Sequence, residues 1–462
     1  MIKILKYFSI LSIAFLLTNC DGNDRNTTTY LGGKIINPKT DFVLLFNQNK
    51  LIDTLSLDAQ NKFLGEYENF KEGFYYFIHG NENQSIYIQP QDSILIRLNT
   101  WDFDESLVFS GKGADKNNIL IDCFLESEKE ENNYTLYKFY SLRPDLFKQK
   151  MDSVLLLRQK KIDIFRAKNK ELPKSYLNIL EIASKYPIYN RFERYHGIHK
   201  KRIGSTSIFP KIDNSFYSYR KNININIDSL MYIENYRNYV LNRLYNDVYS
   251  KGTYNQGKGF TVSLLKTIGE KINNEDTRNS FLRRVTISDF FNNSSCNIDK
   301  EVFYTYYRLS TDIDDKKHVQ RLLNDLKTIH YSDKIAGFEI TDYLKVKRNI
   351  KKIIKNKNSV IYFWSPKYTS NAYLVKRINY LTKRFPKINF ILVKINDIDS
   401  DHVNGIDIKN QFYIDSSSKA NLFLTSKYPR TLLVNKKGIV VNGYANIRTR
   451  LFNKQVDKLE KN

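Results

Sequence analysis

Short runs of alternating apolar and polar residues recur through residues 28–112. Ser85-Ile86-Tyr87-Ile88-Gln89 alternates at every position, and Ile94, Ile96 and Leu98 do so after Gln89-Pro90-Gln91-Asp92. A period of two turns one face of each run inward and predicts strands. Asn37-Pro38 and Glu72-Gly73 mark further turns. From residue 113 the period lengthens and predicts a mainly helical region to residue 333. Asp228 is a candidate N-cap, followed at helical spacing by Leu230, Ile233, Val240, Leu244 and Val248. Val154, Leu157, Lys161 and Phe165 trace a second face, with Lys161 as its polar member. Pro144, Pro173, Pro187 and Pro210 punctuate the region, and Asn222–Asp228, alternating Asn with Ile, reads as a short strand or a loop. No fixed-period repeat is present.

Residues 334–462 change character again. Ser359–Trp364 is an apolar run, Ser370–Arg384 a helical pattern with Tyr373, Leu374, Ile378 and Leu381 on its inner side, and INFILVKIND the next strand. RTLLVNKKGIVVNGYA predicts a hairpin turning at Asn435-Lys436-Lys437-Gly438, and Arg448–Lys461 a last helix. Strands alternating with helices predict an α/β layer structure. At 462 residues the chain is too long for one core,. The fold class is therefore multidomain: a β-rich N-terminal domain (28–112), a mainly helical middle region (113–333) and an α/β C-terminal domain (334–462).

Charge sharpens this picture. The formal net charge is +24, but it is unevenly spread. Residues 351–462 carry 22 Lys and Arg against 7 Asp and Glu, whereas residues 21–120 carry 9 against 14. A basic end suits either a solvated surface or contact with an anionic envelope polymer. Nucleic acid is not expected as a partner, because the N-terminus directs the chain elsewhere. Lys3 and Lys6 precede an apolar stretch, Tyr7–Leu17, too short to span a bilayer, as in an export signal. The segment ends Leu17-Thr18-Asn19-Cys20, which resembles a bacterial lipobox, with Asn19 where a small residue is usual. That resemblance implies removal of residues 1–19, acylation of Cys20 by chains such as palmitate, and a short linker over 20–27. The protein is then expected to be a membrane-anchored envelope lipoprotein facing the periplasm or the cell surface. Of the 3 cysteines, Cys123 and Cys296 would remain as thiols. They fit neither a redox motif nor a metal spacing; buried free thiols or a long-range disulfide are both open.

The junction FWSPKYTSN (363–371) brings in a family. VIYFWSPKYTSNAYL resembles the central strand and active-site helix of TlpA-type, thioredoxin-like disulfide reductases. IAGFEITDY (335–343) resembles their lead-in strand, and YPRTLLVNKKGIVV the loop that bears their cis-proline, here Pro429, with the hairpin after it. The strand order of residues 28–112 likewise resembles the small β-rich domain that precedes such domains in envelope lipoproteins. The resemblance implies a thioredoxin-like C-terminal domain, but the two places of its Cys-x-x-Cys motif hold Tyr368 and Asn371. The first thiol of such a motif attacks a substrate disulfide and the second resolves the mixed disulfide. A phenol and an amide do neither, and no cysteine occurs in 297–462.

No catalytic residue is therefore assigned, and no cofactor or metal is expected. Ser365, Thr369 and Ser370 read as capping hydroxyls, His196 and His199 as solvated or packed, and GKGADKNN as a turn rather than a phosphate loop. What the resemblance leaves is binding. Trp364, Tyr368, Tyr428 and Pro429 are candidates for holding an extended polypeptide by strand addition, or for a vestigial pocket that only packs. Two alternatives differ in class: an oxidoreductase that uses Cys123 and Cys296, and attachment of anionic polymer through the basic C-terminal region.

Overall fold

The alternating runs of the N-terminal region pair into two four-stranded sheets. The computed structural model describes residues 28–48, 50–80, 82–133, 136–203, 212–251, 259–292, 298–395 and 401–461. β1 (Thr29–Ile36), β4 (Lys62–Tyr67), β7 (Ser93–Asn99) and β8 (Val108–Lys112) form one sheet in the order β4-β1-β7-β8. β2 (Phe42–Asn47), β3 (Lys50–Ser56), β5 (Gly73–His79) and β6 (Glu82–Ile88) form the other, in the order β3-β2-β5-β6. Their inner faces supply one core, including Leu31, Val43, Phe77, Ile86, Ile94 and Ile96. The predicted alternation of Ile94, Ile96 and Leu98 appears as buried positions separated by exposed Leu95 and Arg97.

β6 departs from strict alternation, because Tyr87 is buried as well as Ile86 and Ile88. The cause is the helix α2 (Ala114–Asn133), which follows the short helix α1 (Phe103–Ser106). Asn117 of α2 accepts from the Tyr87 N–H at 2.7 Å and donates to its carbonyl at 2.9 Å. A side-chain amide thus closes the sheet edge at this residue as another strand would. GKGADKNN is the end of β8, a turn and the start of α2, with Gly111 and Gly113 at positive φ.

The middle region is helical: α3 (Leu136–Phe139), α4 (Pro144–Lys168), α5 (Lys174–Ile203), α6 (Glu234–Ser250), α7 (Phe260–Lys271), α8 (Glu275–Asn292), α9 (Lys300–Leu309) and α10 (Ile313–Thr328). Three expectations are corrected here. The buried face of α4 is Phe147, Met151, Arg158 and Ile162, not the face through Leu157, which is 65% exposed. Arg158 can face inward because Glu126 and Glu130 of α2 bind its guanidinium, and a paired charge is tolerated where a lone one is not,. Asp228 does not cap the helix after it; it opens a single 3-10 turn, and α6 begins at Glu234. Pro187 lies inside α5 rather than ending a helix. Asn222–Asp228 forms no strand. Among the described residues no helix is long and apolar enough to cross a membrane.

The C-terminal region holds a seven-stranded mixed sheet in the order β10-β9-β13-β12-β11-β14-β15. Its strands are β9 (Glu339–Asp342), β10 (Lys347–Asn349), β11 (Ser359–Trp364), β12 (Asn389–Lys394), β13 (Gln411–Tyr413), β14 (Arg430–Val434) and β15 (Val440–Ala445). The helices α11 (Ile350–Ile353), α12 (Asn371–Arg384) and α13 (Arg450–Lys461) accompany it. β11 is buried at every residue, because both faces are covered. Val360, Tyr362 and Trp364 face Leu374, Ile378 and Leu381 of α12 and Phe452 of α13, whereas Ile361 and Phe363 pack with Ile350, Phe338 and Phe423. α12 joins β11 to its parallel neighbour β12, and β14 pairs antiparallel on the other side.

The chain divides into two compact units: Met1–Ile223 with Ser229–Asn246, and Asn224–Asp228 with Asp247–Asn462. Helices α7–α10 therefore share a unit with the C-terminal sheet. The expected signal (1–19), the linker (20–27), Cys20, Pro210 and Cys296 lie outside the described residues.

Candidate functional site

The turn after β11 is built by backbone hydrogen bonds. The Ser365 carbonyl accepts from the N–H groups of Tyr368 and Thr369, each at 3.0 Å. Ser370 then caps α12 by accepting from the Tyr373 N–H at 3.3 Å,. These bonds place Tyr368 in the turn and exposed Asn371 at the first helical position. Behind the turn, the buried Thr369 hydroxyl meets the Tyr362 hydroxyl at 3.1 Å. In front, the Arg448 guanidinium donates to the Tyr368 carbonyl at 2.5 Å and lies over the Tyr373 ring at 5.2 Å.

Tyr428 and Pro429, just before β14, stand against this turn. The Tyr368 and Tyr428 rings are 5.1 Å apart. Tyr428 also stacks on His318 of α10 at 4.7 Å and packs edge-to-face with Phe291 of α8 at 5.9 Å. Tyr368, Tyr428, Pro429 and Phe291 bound a cleft of about 340 Å³, lined also by Ser288, Asn292, Tyr362, Thr431, Asn446 and Arg448. Burial, with Tyr368 beside it, pushes the Tyr428 phenol up, so it stays protonated as a donor,. Burial pulls the His318 imidazole down, and Arg283 and Arg321 act in the same direction.

One buried residue sets this geometry. Arg430, directly after Pro429, is fully buried. It donates to the carbonyls of Gly443 (2.8 Å), Asp325 (2.7 Å) and Phe423 (2.7 Å), joining β15, α10 and the segment before Pro429. Asp325 is buried too, and its carboxylate accepts from the N–H and hydroxyl groups of both Thr425 and Ser426.

The structure therefore brings Tyr368, Tyr428 and Pro429 together. Trp364 lies elsewhere, buried at 2% exposure in the core beneath α12 and α13. Two features differ from the expected strand-addition groove. No cis peptide bond occurs among the described residues, so the bond before Pro429 is trans. The Tyr428 N–H is taken by the Ser426 hydroxyl at 3.3 Å, leaving it no donor for an added strand. The sequence reading also missed Phe291, His318 and Arg448, which no motif marks.

Among the described residues thiol chemistry has no local source. Cys123 is buried in α2, and burial pushes its thiol up, away from the reactive thiolate,. Among the described residues no cluster of His, Cys, Asp or Glu could hold a metal ion. His199 is packed instead, its ring stacked on Tyr195 at 4.9 Å and its Nδ1 2.7 Å from the Tyr140 carbonyl oxygen.

No protein-family model matches the chain, and no curated protein matches it. Solved structures similar to part of it include thiol-disulfide oxidoreductases and a thiol peroxidase. One is the thioredoxin domain of a thiol-disulfide oxidoreductase from Bacteroides vulgatus, 17% identical over 28% of this chain and 99% of that one, with a TM-score of 0.22. Another is a thiol:disulfide interchange protein from Bacteroides sp., 17% identical over 29% and 93%, with a TM-score of 0.24. A thiol peroxidase from Chromobacterium violaceum is 14% identical over 29% and 88%, with a TM-score of 0.22. Likenesses of this strength cover under a third of the chain and assign it no activity.

Proposed function

We propose that this protein is a lipid-anchored envelope protein whose C-terminal α/β domain is thioredoxin-like, lacks dithiol chemistry, and captures side chains of a polypeptide partner. The thioredoxin-like reading is supported by the parallel β11–α12–β12 unit, the β14–β15 hairpin, and the turn and Pro429 loop that meet at one cleft. The anchor rests on the sequence around Cys20. The observation that carries the binding role is the aromatic cleft itself. Tyr368, at the position that resembles the motif's first thiol, packs on Tyr428, which in turn meets Phe291. A cleft of about 340 Å³ suits one large apolar or aromatic side chain. Arg448 at its rim offers a guanidinium to a carboxylate or carbonyl of the bound chain. Capture is through side chains, since the Tyr428 N–H is already bonded.

The test uses the chain from Asp21 onward, which keeps every described residue, against an array of extended peptides. Retained peptides share an aromatic or leucine residue, and Phe291→Ala and Tyr368→Ala each weaken them about tenfold. Added salt has little effect on binding by an apolar cleft. Reduction of insulin disulfides proceeds no faster than in buffer. Turnover that disappears in a Cys123→Ser/Cys296→Ser variant, or peptide binding indifferent to both cleft substitutions, overturns this reading.

A further inference from the structure

The outer face of the sheet β4-β1-β7-β8 carries a charge pattern at odds with its surroundings. Residues 21–120 are net acidic, 9 Lys and Arg against 14 Asp and Glu. Yet the register aligns Lys62 of β4, Lys34 of β1 and Arg97 of β7 in one row across three adjacent strands. All three are exposed. Neighbouring strands lie about 4.8 Å apart, so like charges in one row repel and destabilise the sheet. Among the described residues none of the three forms an ion pair. Asp58 is the acid near Lys62 and Lys34, and Glu66 lies two rows away, level with Tyr30.

On one side of these cations the next outward-facing row is apolar across the same three strands. Leu64 and Leu95 flank Gly32, and they close over it: a Cβ at Gly32 would stand 2.9 Å from Leu64 and 3.3 Å from Leu95. Val108 continues the cationic row beyond Arg97. Leu64, Leu95 and Val108 are 56%, 48% and 53% exposed, and Trp101, just past the end of β7, is 73% exposed.

We infer that this sheet face docks on an anionic phospholipid surface, with Lys34, Lys62 and Arg97 at the phosphates and Leu64, Leu95 and Val108 against the interfacial region. Cations attract an anionic leaflet, and apolar side chains between them gain from leaving water. A soluble polyanion satisfies only the first requirement. An aromatic such as Trp101 suits the same interface. If Cys20 is the acylated residue, the segment to Thr29 spans at most about 30 Å, which keeps this sheet close to the headgroups.

The test is cosedimentation of the chain from Asp21, which has no acyl anchor, with vesicles of phosphatidylcholine containing one third phosphatidylglycerol. Binding is expected to these vesicles and not to pure phosphatidylcholine. Lys34→Gln, Lys62→Gln and Arg97→Gln each reduce it about fivefold, and the triple variant about 100-fold. Leu64→Ser/Leu95→Ser weakens it while leaving its salt dependence unchanged. The single variants, each surface-exposed and checked by circular dichroism, decide the matter should the triple variant misfold. The inference is overturned by absence of binding, by equal binding to neutral vesicles, by indifference to the three substitutions, or by polyglutamate competing as well as the vesicles bind.

Discussion

Replacing Arg430 with Met tests how the cleft is held. The substitution keeps the approximate length of the side chain and removes its charge. Three hydrogen bonds, at 2.8, 2.7 and 2.7 Å, are lost, and the carbonyls of Gly443, Asp325 and Phe423 are left buried. At about 1.5–3 kcal/mol for a bond from a charged donor, the gross loss is about 5–9 kcal/mol. Against this, burial holds the guanidinium down to about 10, a penalty on the charge of about 3 kcal/mol that Met does not suffer,. The net expectation is a destabilisation of about 2–6 kcal/mol, which spans the range for breaking a buried charged contact. The chain has 2 tryptophans. Trp364 is buried in the same unit and Trp101 is exposed, so a Trp101→Phe background makes Trp364 the sole indole reporter. With a urea slope near 2.5 kcal/mol per molar, the midpoint falls by about 1–2 M. Arg430→Lys falls nearly as far, because one ammonium cannot reach three carbonyls in fork geometry. A shift below about 0.3 M, or a gain in stability, refutes the reasoning and leaves Arg430 as filler.

Further outcomes follow from burial and charge elsewhere. Burial, reinforced by Lys200 and His199, pulls His196 down to about 4. The unfolded chain then takes up this proton first, so stability is full above about pH 6.5 and falls as pH drops toward 4. His196→Gln flattens that slope in thermal melts followed by circular dichroism. In a Cys296→Ser background, Cys123 of the chain from Asp21 resists a disulfide dye until denaturant is added; fast labelling of the native protein contradicts its burial. On α4, Met151→Ala costs about 2–5 kcal/mol, whereas Leu157→Lys changes stability by about 0.5 kcal/mol or less. The reverse ranking in urea unfolding would restore the face expected from periodicity.

What periodicity could reveal depended on which force set each face. Strands of the β-rich region and β11 were legible because water or core alone decides their pattern. Ile94, Ile96 and Leu98 alternate against solvent, and Val360–Trp364 is an unbroken apolar run because both faces of the strand are covered. α4 was misread because its inner face includes Arg158, whose burial depends on Glu126 and Glu130 thirty residues earlier in the chain. No local window contains that pairing. The candidate site divides in the same way. Tyr368 and the Tyr428-Pro429 pair were found because each sits beside a strand with its own signal. Phe291 and His318 come from helices assigned to a different region, and only the tertiary structure sets them against Tyr428.

That division bears on what this cleft is for. A pocket that merely fills space needs no directed polar groups, and one kept for disulfide exchange needs an open approach to a thiolate. This cleft meets neither description. The segment leading to Tyr428 and Pro429 is held by Arg430 and Asp325, whose buried polar groups are costly to arrange without partners,. The cleft's walls are rings drawn from three separate elements: Tyr368 in the turn after β11, Tyr428 before β14 and Phe291 on α8. Its rim carries Arg448, whose guanidinium already binds a carbonyl of the turn that bears Tyr368. Rigid aromatic surface beside a guanidinium is the composition that concentrates energy at protein interfaces. The placement of Phe291 of α8 against Tyr428 therefore argues for capture of a side chain.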